Sequence, residues 1–247
     1  MSRTLTWEGC VNVRDLGGLP TEDGGKTRRG ALVRGDNACR LSPAGWRALH
    51  EHGVRTVLDL RADDELLEDP PGDLPLQPLR LSLFGQLDAE YLRELEERLR
   101  PLPPEEQVRE FYLDALARHR ARIASAVGLV ADAPPGGVLV HCAAGKDRTG
   151  LVVAVLLRLA GVPVEEVVED YAESEANLEA LAEAWRAAAT SPDERERREA
   201  EDLSRTPPGA MHGVLAALDE RYGGVREYLV GGGATPEQVE RARARLR

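Results

Sequence analysis

Apolar positions along the chain alternate between short β-branched runs and longer stretches at helical spacing. This pattern predicts an α/β fold: a small, mostly parallel sheet flanked by helices. Ala31-Leu32-Val33 reads as a short strand. Ser42-Pro43 then supplies a helix cap and a first-turn proline for residues 44–50, and Gly53 closes that helix. The run 54–60 is apolar and β-branched and leads into Asp59-Leu60-Arg61, the pattern of a buried parallel strand whose polar carboxyl end faces a crevice. Val138-Leu139-Val140 is another such strand. Residues 151–160 are almost wholly apolar and stop at Gly161-Val162-Pro163, which predicts a buried central helix.

Between these segments, Pro70, Pro71, Pro75 and Pro78 break the chain into irregular structure. Residues 88–100 resume as a charged helix before Pro101, Pro103 and Pro104. From 105 to 131, Phe111, Leu113, Leu116, Ile123, Val127 and Val130 recur near helical spacing, predicting one long amphipathic helix. Val164, Val167, Val168, Tyr171, Leu178, Leu181 and Trp185 predict another. The Ala/Glu/Arg-rich tract 172–201 reads as a solvated helix face, and 191–205, charged at nearly every position, as an exposed connection. Further helices are expected near 211–222 and 235–246, the latter opened by the capping box Thr235-Pro236-Glu237-Gln238. No boundary interrupts the pattern before Ser191, so 1–247 is expected to form one domain with 206–247 packed on it.

Composition narrows the function classes. With 42% apolar and 30% charged residues the chain has the balance of a soluble globular protein. No stretch approaches the roughly 18 apolar residues of a spanning helix, and the first residues lack a signal-peptide pattern, so a cytoplasmic protein without integral membrane association is expected. Cys10, Cys39 and Cys142 show no CxxC spacing, which argues against a disulfide framework or a zinc site. No metal or cofactor is expected. A net charge of -11 would repel a nucleic-acid backbone, so an anionic substrate must be held by a local basic site.

That site is predicted in the loop His141-Cys142-Ala143-Ala144-Gly145-Lys146-Asp147-Arg148-Thr149-Gly150, between a strand and an apolar helix. A strand, a glycine-bearing loop and a helix start aim successive N–H groups at one spot, where the helix dipole favours a phosphate. Ala143, Ala144, Gly145 and Lys146 would line this cradle. Cys142 sits where its sulfur points into it, and the amides, Arg148 and the dipole favour the thiolate. Arg148 can fork to two phosphate oxygens, which lysine cannot reproduce. A buried strand-end thiol would explain Cys142 but neither Gly145 nor Arg148. His141 is suited to buttress the loop backbone. Thr149 can donate its hydroxyl to the sulfur, or simply hydrogen-bond at the helix start.

His-Cys-x-x-Gly-Lys-Asp-Arg-Thr-Gly resembles the signature of Cys-x5-Arg protein tyrosine phosphatases, and more narrowly the atypical bacterial members with a Lys-Asp pair in the loop. These resemble dual-specificity and phosphoinositide phosphatases in loop chemistry. Segments 12–18, 32–36, 57–61, 161–171 and 222–229 are also similar to that family's. The resemblance implies a phosphomonoester hydrolase forming a phosphocysteine intermediate, acting on phosphorylated protein (phosphotyrosine, phosphoserine, phosphothreonine) or phosphoinositide. Lys146 would add a second cation at the pocket floor, with a solvated loop lysine as the alternative. Asp147 would protonate the leaving oxygen or orient Arg148. Asp59, Asp36 and Asp63 are rivals for the acid, and Asp147 is preferred because it is tied to the loop. Asn12, Arg14 and Asp15 would hold the loop from behind, although residues 12–18 alone read as a turn. Arg34 and Arg61 would contact substrate or form structural ion pairs, and residues 88–104 would form a lid or a static surface helix. Cys10 and Cys39 read as inert thiols, the alternative being capture of oxidised Cys142. A rhodanese-like sulfurtransferase and a non-catalytic phospho-binding pseudophosphatase are the competing functions.

Overall fold

The computed structural model describes residues 2–68, 75–76, 78–86, 88–188 and 204–247. Pro70, Pro71 and most of the charged connection 191–205 lie outside the described residues.

The sheet contains β1 (Arg14–Asp15), β2 (Leu32–Gly35), β3 (Val54–Asp59), β4 (Leu79–Arg80) and β5 (Gly137–His141), in the order β1-β2-β5-β3-β4. β1 runs antiparallel to β2 and the remaining pairs are parallel. β5 is therefore central and is buried along its whole length, as a strand covered on both faces must be. Its register sets Gly35 on one side of His141 and Asp59 on the other, so three strands end together around the loop that follows.

Alternate side chains of these strands enter opposite layers. Val33, Val57 and Leu139 pack with Trp7, Trp46 and Leu49, the last two from α1 (Pro43–Glu51). Ser42 caps α1 by accepting from the Ala44 and Gly45 N–H groups, with Pro43 at its first position. Leu32, Leu58, Val138 and Val140 face the other layer, which holds α4 (Pro104–Arg118), α5 (Arg120–Asp132) and α6 (Asp147–Leu159). α6 is buried nearly all round, which its apolar sequence requires. The same core reaches Leu246, taking in α8 (Pro208–Tyr222), α9 (Val225–Gly231) and α10 (Pro236–Leu246). The capping box of α10 is formed by both of its reciprocal bonds. α7 (Val164–Ala188) runs beside α6 and α8. No helix among the described residues is long and apolar enough to cross a membrane.

Three local features depart from the sequence pattern. The segment 105–131 is two helices, not one, meeting at His119 with φ -102 and ψ 20. α4 packs on α8 while α5 packs on α10 and α9, and a bend lets each half meet its own partner. Apolar periodicity is blind to a one-residue bend. Second, Asp63–Glu68 forms a short helix, α2, where irregular structure was expected. Third, residues 12–18 are partly strand: Arg14 and Asp15 pair with Arg34 and Val33 before the chain turns at Gly17-Gly18.

Candidate active site

The loop after β5 is held by its carbonyls. Ala143 O accepts from Asn37 N at 3.1 Å, Ala144 O from Asn12 Nδ2 at 3.0 Å, and Gly145 O from Arg34 Nη2 at 2.7 Å. Three consecutive carbonyls are thus drawn outward. The N–H groups of Ala143, Ala144 and Gly145 make no hydrogen bond among the described residues. Gly145 has φ +70, and a Cβ there would lie 2.4 Å from Gly35 O, so only glycine permits this approach. α6 begins directly afterwards and brings its amino end to the same place.

Behind the loop lies a charge network whose centre, Asp170, Arg14 and Arg34, is fully buried. Asp170 of α7 accepts from Arg3 Nη1 (2.6 Å), Arg14 Nε (3.0 Å) and Arg34 Nη1 (2.8 Å). Arg14 Nη1 donates to Asn12 Oδ1 at 2.7 Å, and Asn177 Nδ2 donates to the same oxygen. Ser174 Oγ accepts from Arg14 Nη2 at 2.9 Å. Burial alone would raise the Asp170 carboxyl, but Arg14, Arg34 and Arg3 hold it well below the ordinary carboxylate range. Arg34 is therefore a structural arginine that grips Gly145, and Arg14 acts on the loop through Asn12. Asp15 does not join them. It accepts from the Gly17 and Gly30 N–H groups and lies 3.2 Å from His52 Nε2, bracing the turn at the other end of β1; the expectation that it holds the loop is corrected.

His141 is fully buried, and burial lowers its pKa, favouring a neutral ring. Its Nδ1 lies 3.2 Å from Cys142 O and 3.4 Å from Ala38 N. Asp59 is clasped by the Arg61 guanidinium at 2.9–3.1 Å. Burial would raise Asp59, yet Arg61 holds it below its usual value, so it is a structural anion and unsuited to deliver a proton. The same guanidinium touches Cys39 Sγ at 3.0 Å, which places Arg61 in a structural cluster. Asp36 is spent on the Val11 and Asn12 N–H groups, and burial pushes its pKa up. Asp63 is exposed in the first turn of α2.

Cys142 is buried at the loop's start. Arg148 points end-on at Glu65 of α2, Nη2 to Oε1 at 2.8 Å and Nη1 to Oε2. Burial would lower the guanidinium's pKa, but Glu65 and the Cys142 charge raise it. Beside the pair is a cavity of about 570 Å³ lined by residues that include Glu65, Phe84, Leu92 and Arg148. Leu92 belongs to α3 (Ala89–Leu99), which Tyr91 and Arg98 tie to Asp114 of α4. Asp147 Oδ1 accepts from Tyr112 Oη at 2.7 Å and lies 3.5 Å from Lys146 Nζ. Lys146 is buried, its ammonium donating to Arg205 O at 3.2 Å, which excludes a solvated loop lysine. Thr149 Oγ1 is buried with no hydrogen-bond partner among the described residues.

Glu65, Asp170, Tyr112 and Tyr171 escaped sequence reasoning. The acidic run Asp63-Asp64-Glu65 ahead of Leu66-Leu67 is the one local signal available, since acids favour a helix start. The others sit on apolar helix faces and are distinguished only by what the fold brings to them. No group of three or more His, Cys, Asp or Glu side chains among the described residues is placed to hold a metal ion.

A cysteine at a central strand's carboxyl end, a glycine-bent loop whose carbonyls are bonded away and whose first three amides have no partner among the described residues, and an arginine in the next helix's first turn define a class: the cysteine-dependent phosphatases. The family model described as the tyrosine phosphatase family matches residues 5–247, and the chain belongs to that family. A tyrosine-protein phosphatase of Nostoc commune is 31% identical over 233 residues, covering 87% of this chain and 74% of the relative. The triple specificity protein phosphatase PtpB of Mycobacterium tuberculosis is 28% identical over 278 residues, covering 96% and 97% of the two chains. Family membership decides against the sulfurtransferase reading.

Proposed function

We propose that the protein hydrolyses phosphomonoesters with Cys142 as nucleophile, Arg148 as phosphate clamp and Asp147 as general acid. The observation that carries this reading is the loop between Cys142 and α6 whose three carbonyls are bonded to Asn37, Asn12 and Arg34 while the N–H groups of Ala143, Ala144 and Gly145 make no hydrogen bond among the described residues. The Cys142 thiolate attacks phosphorus, the bond to the leaving oxygen breaks, and Asp147 delivers its proton to that oxygen. Water then attacks the thiophosphate, Asp147 takes the water's proton, phosphate departs and the thiolate returns, with the Thr149 hydroxyl donating to the leaving sulfur. The loop amides and Arg148 carry the charge that spreads over the equatorial oxygens. His141, Asn12 and Arg14 keep the cradle in shape, and the amides of Ala143 to Lys146 bind the phosphate.

Broad specificity, covering phosphotyrosine, phosphoserine or phosphothreonine and phosphoinositide, is the reading supported by Lys146 beside Asp147 and by the triple specificity named for the mycobacterial relative. We read 1–247 as one phosphatase domain acting in the cytoplasm, where its three free thiols stay reduced. Residues 88–104 act as a lid through Leu92, at the cavity beside Arg148. The test compares wild type and Cys142→Ser on a phosphotyrosine peptide, a phosphoserine peptide and a phosphoinositide, with vanadate as inhibitor. Turnover by wild type and none by the variant is expected. Absence of turnover on all three would make the chain a phospho-binding protein, and activity in the variant would remove Cys142 from the mechanism.

A further inference from the structure

We infer that Tyr112 is a positioning residue that holds Asp147 with its transferable proton on Oδ2, using Tyr171 as its own support. This inference rests on Asp147 being the acid.

Tyr112 of α4 is fully buried, and its Oη lies 2.7 Å from Asp147 Oδ1 and 2.9 Å from Tyr171 Oη. An ionised carboxylate only accepts, so Tyr112 donates to Asp147. Its single proton is then spent, and Tyr171 must donate to Tyr112. The chain Tyr171 to Tyr112 to Asp147 has one direction. When Asp147 is protonated, Oδ1 still receives the Tyr112 proton and still has the Lys146 ammonium at 3.5 Å, so the acid proton belongs on Oδ2. Oδ2 makes no hydrogen bond among the described residues.

The support is built into the fold. Tyr171 follows Asp170 on α7, so the helix that anchors the loop carbonyls also carries this hydroxyl. Gly150, in the first turn of α6, lets the Tyr171 ring approach: a Cβ there would lie 3.2 Å from Tyr171 Cδ2. The Tyr112 and Tyr171 rings meet edge to face at 5.9 Å. Burial, then the Asp147 charge, keeps both phenols protonated and able to donate. Asp147 itself remains one-third exposed, so without Tyr112 its carboxyl is free to turn toward Lys146 and away from the leaving group.

Leaving-group dependence separates positioning from mere packing. Phenyl phosphate needs its leaving oxygen protonated, whereas p-nitrophenyl phosphate expels a stabilised anion. Asp147→Asn should lose about a hundredfold in kcat/KM, which reports formation of the phosphocysteine and not its hydrolysis, on phenyl phosphate and only a few-fold on p-nitrophenyl phosphate. Tyr112→Phe should lose about tenfold on the first and less than about threefold on the second, with Tyr171→Phe in the same direction but smaller. Tyr228→Phe removes another buried hydroxyl, which donates to Leu116 O of α4; it should lower the melting temperature and leave the ratio between substrates unchanged. Equal losses of Tyr112→Phe on both substrates, or no loss on either, would overturn the inference while leaving Asp147 as acid. If Asp147→Asn shows no leaving-group dependence, the acid assignment fails, and the positioning role falls with it.

Discussion

The floor and the rim of the phosphate loop are built on opposite terms. On the floor, Asp170, Arg14 and Arg34 are fully buried, mutually paired and bonded through Arg34 and Asn12 to the carbonyls of residues 144 and 145. On the rim, Glu65 and Arg148 retain side-chain exposures of 29% and 16% and border an open cavity. A buried ion network gives little net stability, because desolvation cancels most of the attraction, but it tolerates no missing partner. It is therefore a device for fixing backbone shape. A partly exposed pair beside a cavity is easier to rearrange than a fully buried one, which suits the substrate-facing role proposed for Arg148.

The largest effect should follow from breaking the floor. Asp170→Asn leaves the buried Arg14 and Arg34 without their close counter-charge, while Arg3 keeps Glu173, and should cost about 3–5 kcal/mol in urea unfolding. The sign with pH is fixed by the depressed Asp170 carboxyl: its contribution is complete above the unfolded value of about 4 and is lost as pH falls below it. Wild type should thus weaken more steeply than Asp170→Asn below about pH 4. If the two acid profiles run parallel, Asp170 does not carry the floor.

Gly145→Ala should rank next, because it places a Cβ 2.4 Å from Gly35 O at positive φ. A strain on the order of 1–3 kcal/mol is expected in thermal melts, together with loss of vanadate binding as the amides leave their positions. A variant that keeps wild-type vanadate affinity would detach loop geometry from phosphate binding.

At the rim, Glu65→Gln should change stability by less than about 1 kcal/mol yet lower kcat/KM by about tenfold, with weaker vanadate inhibition. The end-on pairing uses one N–H of each terminal nitrogen and leaves the Nε edge of Arg148 outside the pair, where the proposed mechanism seats phosphate. Glu65 is accordingly a brace for the arginine. Unchanged kinetics would reduce the pair to a surface contact. The smallest effect belongs to Leu92→Ala on α3, already 43% exposed: stability should move by less than about 0.5 kcal/mol, with KM altered for bulky phosphopeptides more than for small phosphoesters.

How much of this was legible follows the same division. Val138-Leu139-Val140, Gly145, Arg148 and the apolar run of α6 write the strand, bend and helix in consecutive residues, so this strand-loop-helix geometry could be read locally. The capping box of α10 was equally local. Asp170 and Tyr112 could not be read in that way, since their partners lie 156 and 35 residues away. Glu65 was hidden by the prolines that follow it, which mask the six-residue helix α2. Asp15 misled because it adjoins Arg14 on a strand, where successive side chains point to opposite sides.

A covalent phosphocysteine at Cys142 is the centre of the proposed mechanism. Wild-type protein mixed with a phosphotyrosine substrate, quenched in acid within the first turnover, digested and weighed by mass spectrometry should yield a peptide containing Cys142 that is heavier by one phosphoryl group. Cys142→Ser should yield none. Steady turnover with no phosphorylated Cys142 peptide at any quench time, or with the phosphoryl group on another residue, would contradict it.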